Sequence, residues 1–251
     1  MEQQNYQYQD NTVFVQEGSV SKKFFANVFL WMFVALTLST VAAYLFGVNE
    51  GLRQHLVTVN EISRKPSMTI FGYVAMFAPL ALVLTMGFGL SRLSYTALVG
   101  IFVLYSVLTG ISLSFIILSY TTGSIVGCFA AAAGIFGIMA FLGYTTNVDL
   151  SKFGPILMVG VVGLVIASVI NMFLGSSQLD YIMSFFGVAI FTALTAYDVQ
   201  KIKRIGEGIE ANGEQVLQVE SKKMAIVAAL SLYLDFLNIF LFLLRIFGSR
   251  K

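Results

Sequence analysis

One aspartate interrupts the apolar run SLYLDFLNIFLFLLRIFG, residues 231–248, and it is the only acid between Met224 and Phe247. An ionised aspartate at the centre of a membrane helix costs ~2.5–3.5 kcal/mol on insertion scales. Packing alone does not call for such a residue. Asp235 therefore reads as a proton or ion site, or else as a carboxyl hydrogen-bonded between helices. Ser231, Asp235 and Asn238 fall at i−4, i and i+3, which puts them on one helical face. A helix apolar nearly all round with one polar stripe belongs at the centre of a bundle, with the stripe lining a cavity. Asn171, midway along an earlier apolar run, is placed to add to that cavity or to make a simple interhelical hydrogen bond.

A second acid, Asp198, ends the apolar part of FTALTAYDVQKIKRIG. It either reaches headgroup water or, if the helix continues through Gln200, Lys201 and Lys203, lies below the interface. Arg92 is the one basic residue in a short linker on the same side. It is positioned to pair with Asp198 or to anchor at the interface.

The elements that must carry these residues are membrane helices. The chain of 251 residues is 57% hydrophobic and 11% charged, against roughly 45–50% and 25% in soluble domains. Its mean hydropathy is +0.83. Too few charges remain to cover a soluble surface, which excludes a soluble enzyme, a disordered regulator and a secreted disulfide scaffold. A net charge of +2 gives no footprint for nucleic acid. Cys128 and His55 are the only residues of their types, so sites built on several Cys or His ligands are excluded, and no cofactor is expected.

Apolar runs of about 20 residues, enough to cross a ~30 Å hydrocarbon core, predict seven spans near Phe24–Phe46, Met68–Leu90, Tyr95–Ser119, Gly123–Leu142, Pro155–Gly175, Leu179–Asp198 and Met224–Phe247. The expected fold is an all-α polytopic membrane protein, a seven-helix bundle with the last helix central. Residues 1–21 read as a disordered polar tail and 22–251 as the transmembrane domain. Two further segments, Gly47–Ser67 and the charged Gln200–Lys223 with its Asn212-Gly213 turn signal, read as solvated loops, the latter with room for one amphipathic helix. Pro79 is expected to kink the second span, and Gly123, Gly127, Ala130–Gly134 and Gly137 to give the fourth a tightly packed small-residue face. Lys and Arg are more numerous on the side holding Lys22, Lys23, Arg92, Lys152 and Lys201, which predicts a cytoplasmic N-terminus.

Two strings, Ala196-Tyr197-Asp198-Val199-Gln200-Lys201-Ile202-Lys203 and Ser231-Leu232-Tyr233-Leu234-Asp235-Phe236-Leu237-Asn238 running on to Arg245-Ile246-Phe247-Gly248, resemble the Bax inhibitor-1 family (transmembrane Bax inhibitor motif proteins). The stretch Thr109-Gly110-Ile111-Ser112-Leu113 is also similar, and the resemblance spans residues 22–250. It implies a closed bundle whose last helix is wrapped by the other six, and a pH-sensitive calcium leak through a bacterial plasma (inner) membrane. By the same resemblance Asp198 and Asp235 form a hydrogen-bonded pair near mid-membrane, with Arg92 as a latch on Asp198. Calcium and protons are then the transported species and the lipid bilayer the surroundings. No protein partner is indicated, and the family implies no catalytic activity.

Physical chemistry supplies a mechanism beside that resemblance. Two carboxyls in a low-dielectric site cannot both ionise cheaply, so they share a proton and titrate as a pair. Calcium, which prefers oxygen ligands, would be held weakly and transiently by the same two acids. Two other readings use the same residues. One is a proton-coupled secondary transporter. The other is an intramembrane aspartyl protease, which also carries Tyr-Asp and Asp on its sixth and seventh spans. Such a protease needs glycines before the second aspartate, where this chain has Leu232-Tyr233-Leu234.

Overall fold

A computed structural model of the chain describes residues 19–59, 66–211 and 218–251. Its elements are α1 (Ser19–Val48), α2 (Glu50–Arg53), β1 (Val57–Val59), β2 (Pro66–Met68), α3 (Ile70–Gly89), α4 (Tyr95–Ser119), α5 (Thr122–Thr145), α6 (Gly154–Leu174), α7 (Ser177–Ala211) and α8 (Gln218–Phe247). Seven of these helices are long and apolar enough to cross a membrane, so the protein is an all-α polytopic membrane protein. The polar tail is expected over 1–21; its residues 1–18 lie outside the described residues, as do Arg64, Lys65 and the Asn212-Gly213 turn, and α1 begins at Ser19.

Local chemistry sets the helix ends. The hydroxyls of Thr69, Ser94 and Thr121 accept from the N–H groups of Gly72, Ala97 and Ser124, capping α3, α4 and α5. Pro155 opens α6 and Gly175, at φ 61, ends it in the left-handed region that glycine adopts without a Cβ penalty. Pro79 lies inside α3 without ending it. Between α2 and α3 the chain forms a two-stranded antiparallel ribbon, Val57 opposite Met68 and Thr58 opposite Ser67, where a plain solvated loop was expected.

The bundle closes around α8. It is the most buried of the seven spans, and Ile226, Ala229, Leu232, Tyr233, Ile239 and Leu244 on it are all but fully enclosed. The helices packed on it are α7, α1, α5 and α4, while α6 lies outside against α7 and has no buried residue. Many large apolar side chains of α3, α5 and α6 face outward, as lipid contact requires.

The expected small-residue face of α5 is corrected by the structure. Gly123, Gly127, Gly134 and Gly137 are exposed, and a Cβ added at any of them meets nothing within 4 Å. Of the expected run Ala132 does pack, and the packed face of α5 is Cys128, Ala132, Phe136 and Gly143. Two other glycines allow the close approaches: a Cβ at Gly143 would stand 2.3 Å from the Ala196 carbonyl oxygen on α7, and one at Gly110 would stand 2.4 Å from that of Ser39 on α1.

The largest correction concerns Gln200–Lys223. Its described residues are helical: the helix does continue through Gln200, Lys201 and Lys203, so that α7 runs to Ala211, and α8 begins at Gln218. Val199, Gln200, Ile202, Gly206 and Ile209 are buried along this extension. Their three- and four-residue spacing continues the buried stripe of the span, and the charges between them face out.

Candidate proton and cation site

Helix α7 carries Asp198 well inside its length, and α8 carries Asp235 near its middle. The two helices are registered by Gly187, whose missing side chain leaves room for the Phe242 ring; a Cβ there would stand 2.4 Å from it. Asp198 is 11 residues along α7 from that contact and Asp235 is 7 residues back along α8. The difference, at ~1.5 Å of rise per residue, offsets the two acids along the bundle by about 6 Å. They are close enough for the charge of Asp198 to bear on Asp235. The expected hydrogen bond between them is absent among the bonds of the described residues, and the offset is the reason.

Asp235 is 4% exposed, and its Oδ2 has no hydrogen-bond partner among the described residues. That atom makes no link between helices. Nearby polarity serves packing instead. The Ser39 hydroxyl donates to the Ser106 carbonyl oxygen at 2.7 Å, which uses its one proton, so at 2.6 Å the Tyr233 hydroxyl donates to Ser39. This ties α8 to α1 and α4. Tyr233 also meets Tyr105 edge to face at 5.6 Å.

Asp198 is partly buried and lines a cavity of about 240 Å³ with Lys201, Ser231, Leu90, Met224 and Val227. A second cavity, about 340 Å³, shares Leu90 and Met224 and continues to Ser91, Glu220 and Lys223 at the surface. Together they form a funnel that leads from a charged rim, past an apolar neck, to Asp198 and Ser231. Asp235 lies one helical turn deeper than Ser231.

The other candidates separate. Asn238 turns its amide onto its own helix, donating to the Leu234 carbonyl oxygen at 2.8 Å. Asn171 is not near this cavity. Its Oδ1 accepts from the Ser176 N–H at 3.0 Å, finishing α6, and it lines a separate cavity with Asp180 and Arg245 at the opposite end of the bundle. Arg92 is exposed in the turn after α3, its N–H bonded to the Gly89 carbonyl oxygen at 2.9 Å. Among the described residues no ion pair joins it to Asp198, and the cation whose charge reaches that acid is Lys201, one turn further along α7.

A group of residues beside the site escaped the reading of the sequence. Gln200 is 5% exposed; its Nε2 donates to the Val148 carbonyl oxygen at 2.7 Å and its Oε1 accepts from the Leu150 N–H at 2.8 Å. Between those two residues, Asp149 pairs with Arg204 at 2.6 Å. The Ser151 hydroxyl, then the Arg204 guanidinium and the Ser151 N–H, hold the Asp149 carboxyl down at about 2. Lys203 donates to the Tyr144 carbonyl oxygen at 3.0 Å. The period of the buried residues past Asp198 was the available signal, because a helix extended that far must place Gln200 inside.

A seven-helix integral membrane protein, with a central last helix, one acid lining a funnel and a second buried a turn beyond it, is the class that fold and site define. The model of the family described as Inhibitor of apoptosis-promoting Bax1 matches residues 21–251, and the chain belongs to that family. Similar proteins include an uncharacterized protein of Borreliella burgdorferi, 41% identical over 94% of this chain and 96% of its own length. Inner membrane protein YbhL of Escherichia coli K12 is 39% identical over 94% of this chain and 96% of its length. A Rickettsia prowazekii protein, also uncharacterized, is 37% identical over 92% and 91%.

Proposed function

We propose that the protein is a pH-sensitive calcium leak of the bacterial inner membrane, with Asp198 and Asp235 as its proton sensor and as weak, transient ligands of the passing ion. One observation carries the reading: a carboxyl oxygen of Asp235, buried in the central helix without a partner among the described residues, lies one turn beyond a funnel that ends on a second acid. A structural carboxyl would be hydrogen-bonded. Two carboxyls supply too few oxygens for the ~6–8 that calcium takes in a tight site, and an ion held loosely can leave.

The closed state holds one proton between the two acids without a direct hydrogen bond, since a charge on either raises the cost of a charge on the other. Loss of that proton favours a second packing, in which a cation is brought up to Asp198. Lys201 is nearest, and Arg92 is the latch that a shift of the α3 end would bring in. The membrane orientation that fits the basic residues places the funnel, with Lys223, Lys201 and Arg92, on the cytoplasmic side together with the N-terminus.

The experiment is calcium flux into dye-loaded proteoliposomes across pH 5–8 for the natural chain, Asp198→Asn and Asp235→Asn. Each variant is expected to change both the flux and its pH profile. Profiles unchanged in both variants would sink the reading.

A further inference from the structure

We infer that Gln200 is a positioning residue: its side-chain amide clamps α7 to the linker between α5 and α6, so that Asp198 keeps its depth and its facing toward α8. The inference rests on the reading of Asp198 and Asp235 given above and names what holds one of them in place.

The clamp grips backbone at both ends. Gln200 donates to the Val148 carbonyl oxygen at 2.7 Å and accepts from the Leu150 N–H at 2.8 Å, so one planar group spans Asp149 on both sides. Such a two-point grip fixes rotation as well as distance. Tyr197, the residue before Asp198, adds to it: its ring lies over Gly154, where a Cβ would come within 2.9 Å. Tyr197, Gln200 and Arg204 share one face of α7, and Asp198, Lys201, Ile202 and Ile205 share the next. At about 100° per residue the two faces are about a third of a turn apart. Holding the first face against the linker therefore points the second into the funnel, and a rotation that released the first would swing Asp198 away from it.

The clamp does not titrate. An amide and two backbone groups stay uncharged across the range where a pair of carboxyls exchanges a proton. The one acid in the bracket, Asp149, has its carboxyl held at about 2 by Ser151 and Arg204, below that range. The groups that do face Asp198 are Asp235 and Ser231 of α8 and Lys201 of its own helix. Farther out are Glu220 and Lys223 on α8 and Arg92 after α3, with Lys203 turned to Tyr144 of α5 and Lys22 and Lys23 exposed on α1. A change of charge at the pair thus acts against a fixed α7, and α8 and the end of α3 take up the movement at the Leu90–Met224 neck.

The test uses the full chain with Gln200→Met, which keeps length and removes both hydrogen bonds, and Gln200→Asn, which stays polar but is one methylene too short. Hydrogen exchange at the Leu150 amide is measured on each, together with the pH profile of calcium flux. The expected result is faster exchange at Leu150 in both variants and a flux midpoint moved by about half a pH unit or more. Tying the bracket back covalently, with Asp149→Cys and Arg204→Cys joined by a short bis-thiosulfonate linker in a Cys128→Ala background, should restore the natural profile in Gln200→Met. Unchanged exchange at Leu150 overturns the clamp. Faster exchange with an unmoved midpoint overturns its positioning role and leaves the calcium reading intact. A natural chain whose flux has no pH dependence defeats that reading instead, while Leu150 still reports on the clamp.

Discussion

Replacing Asp235 by leucine should stabilise the protein. The side chain is 4% exposed and one of its oxygens lacks a partner among the described residues, and a buried polar group left unpaired costs about 1–3 kcal/mol. Leucine keeps the number and branching of heavy atoms but is larger, and the adjoining Leu232, Phe236 and Ile239 are apolar and buried, so the gain is reduced by the strain of fitting its methyls. Asp235→Leu is therefore expected to raise the free energy of unfolding by up to about 3 kcal/mol. Asp235→Asn retains a buried amide and should stay within about 1 kcal/mol of the natural chain. Both changes should abolish the pH response of calcium flux, so stability and function move in opposite directions for the leucine variant. The assay is reversible unfolding in mild detergent titrated with sodium dodecyl sulfate and followed by circular dichroism, beside flux on the same preparations. A loss of 1 kcal/mol or more in both Asp235→Leu and the isosteric Asp235→Asn would show that the carboxyl makes a stabilising bond. The argument from an unpaired oxygen would then be wrong.

Gly143→Ala drives a Cβ to 2.3 Å from the Ala196 carbonyl oxygen, backbone that cannot step aside; it should cost about 1–3 kcal/mol by the same unfolding assay. Gly137→Ala, in open space, should change stability by less than about 0.5 kcal/mol. Tyr233→Phe removes the bond to Ser39 but leaves Ser39 on Ser106, an expected loss of about 0.5–1.5 kcal/mol that a double-mutant cycle with Ser39→Ala should assign to that pair. Asp149 titrates at about 2 in the folded chain, below its ordinary value of about 3.9. Its contribution is therefore present above about pH 4 and lost only as pH falls through about 2. Asp149→Asn should leave the flux midpoint between pH 5 and 8 where it is, and carboxyl-carbon resonances of Asp149 should not move until the sample is well below pH 4.

Much of this was legible because the chain holds so little charge. In a sequence that is 11% charged, an aspartate inside an apolar run is conspicuous, and the strings around Asp198 and Asp235 led to the family. The seven spans followed from run length, and the central place of α8 from a helix apolar nearly all round with one narrow polar stripe. Contact partners were not legible. The glycines of α5 were expected to pack because small residues permit close approach, yet permission is not contact: Gly123, Gly127, Gly134 and Gly137 face outward, and the close contact is made at Gly143. Asn171 and Asn238 looked like cavity residues by type, but each satisfies backbone beside it. A short polar side chain has that alternative always at hand, at a helix end as for Asn171 or at the i−4 carbonyl within the helix as for Asn238.

The hydrogen bond expected between the two acids failed for a different reason. Sequence gives each aspartate a place along its own helix, and the level at which two helices cross depends on side chains far from either acid, here Gly187 and Phe242. Gln200 was hidden by its neighbours. Lys201, Lys203 and Arg204 make the segment read as solvated, and average polarity conceals a buried stripe of Val199, Gln200, Ile202, Gly206 and Ile209. Tracking the stripe instead of the average extends α7 to Ala211, turns Gln200 inward and carries Asp198 away from the helix end. A charged helix extension can thus do what an apolar span cannot. Its outward residues bond to a neighbouring linker while its inward ones hold an acid at a set depth, and removing Gln200 separates those two tasks.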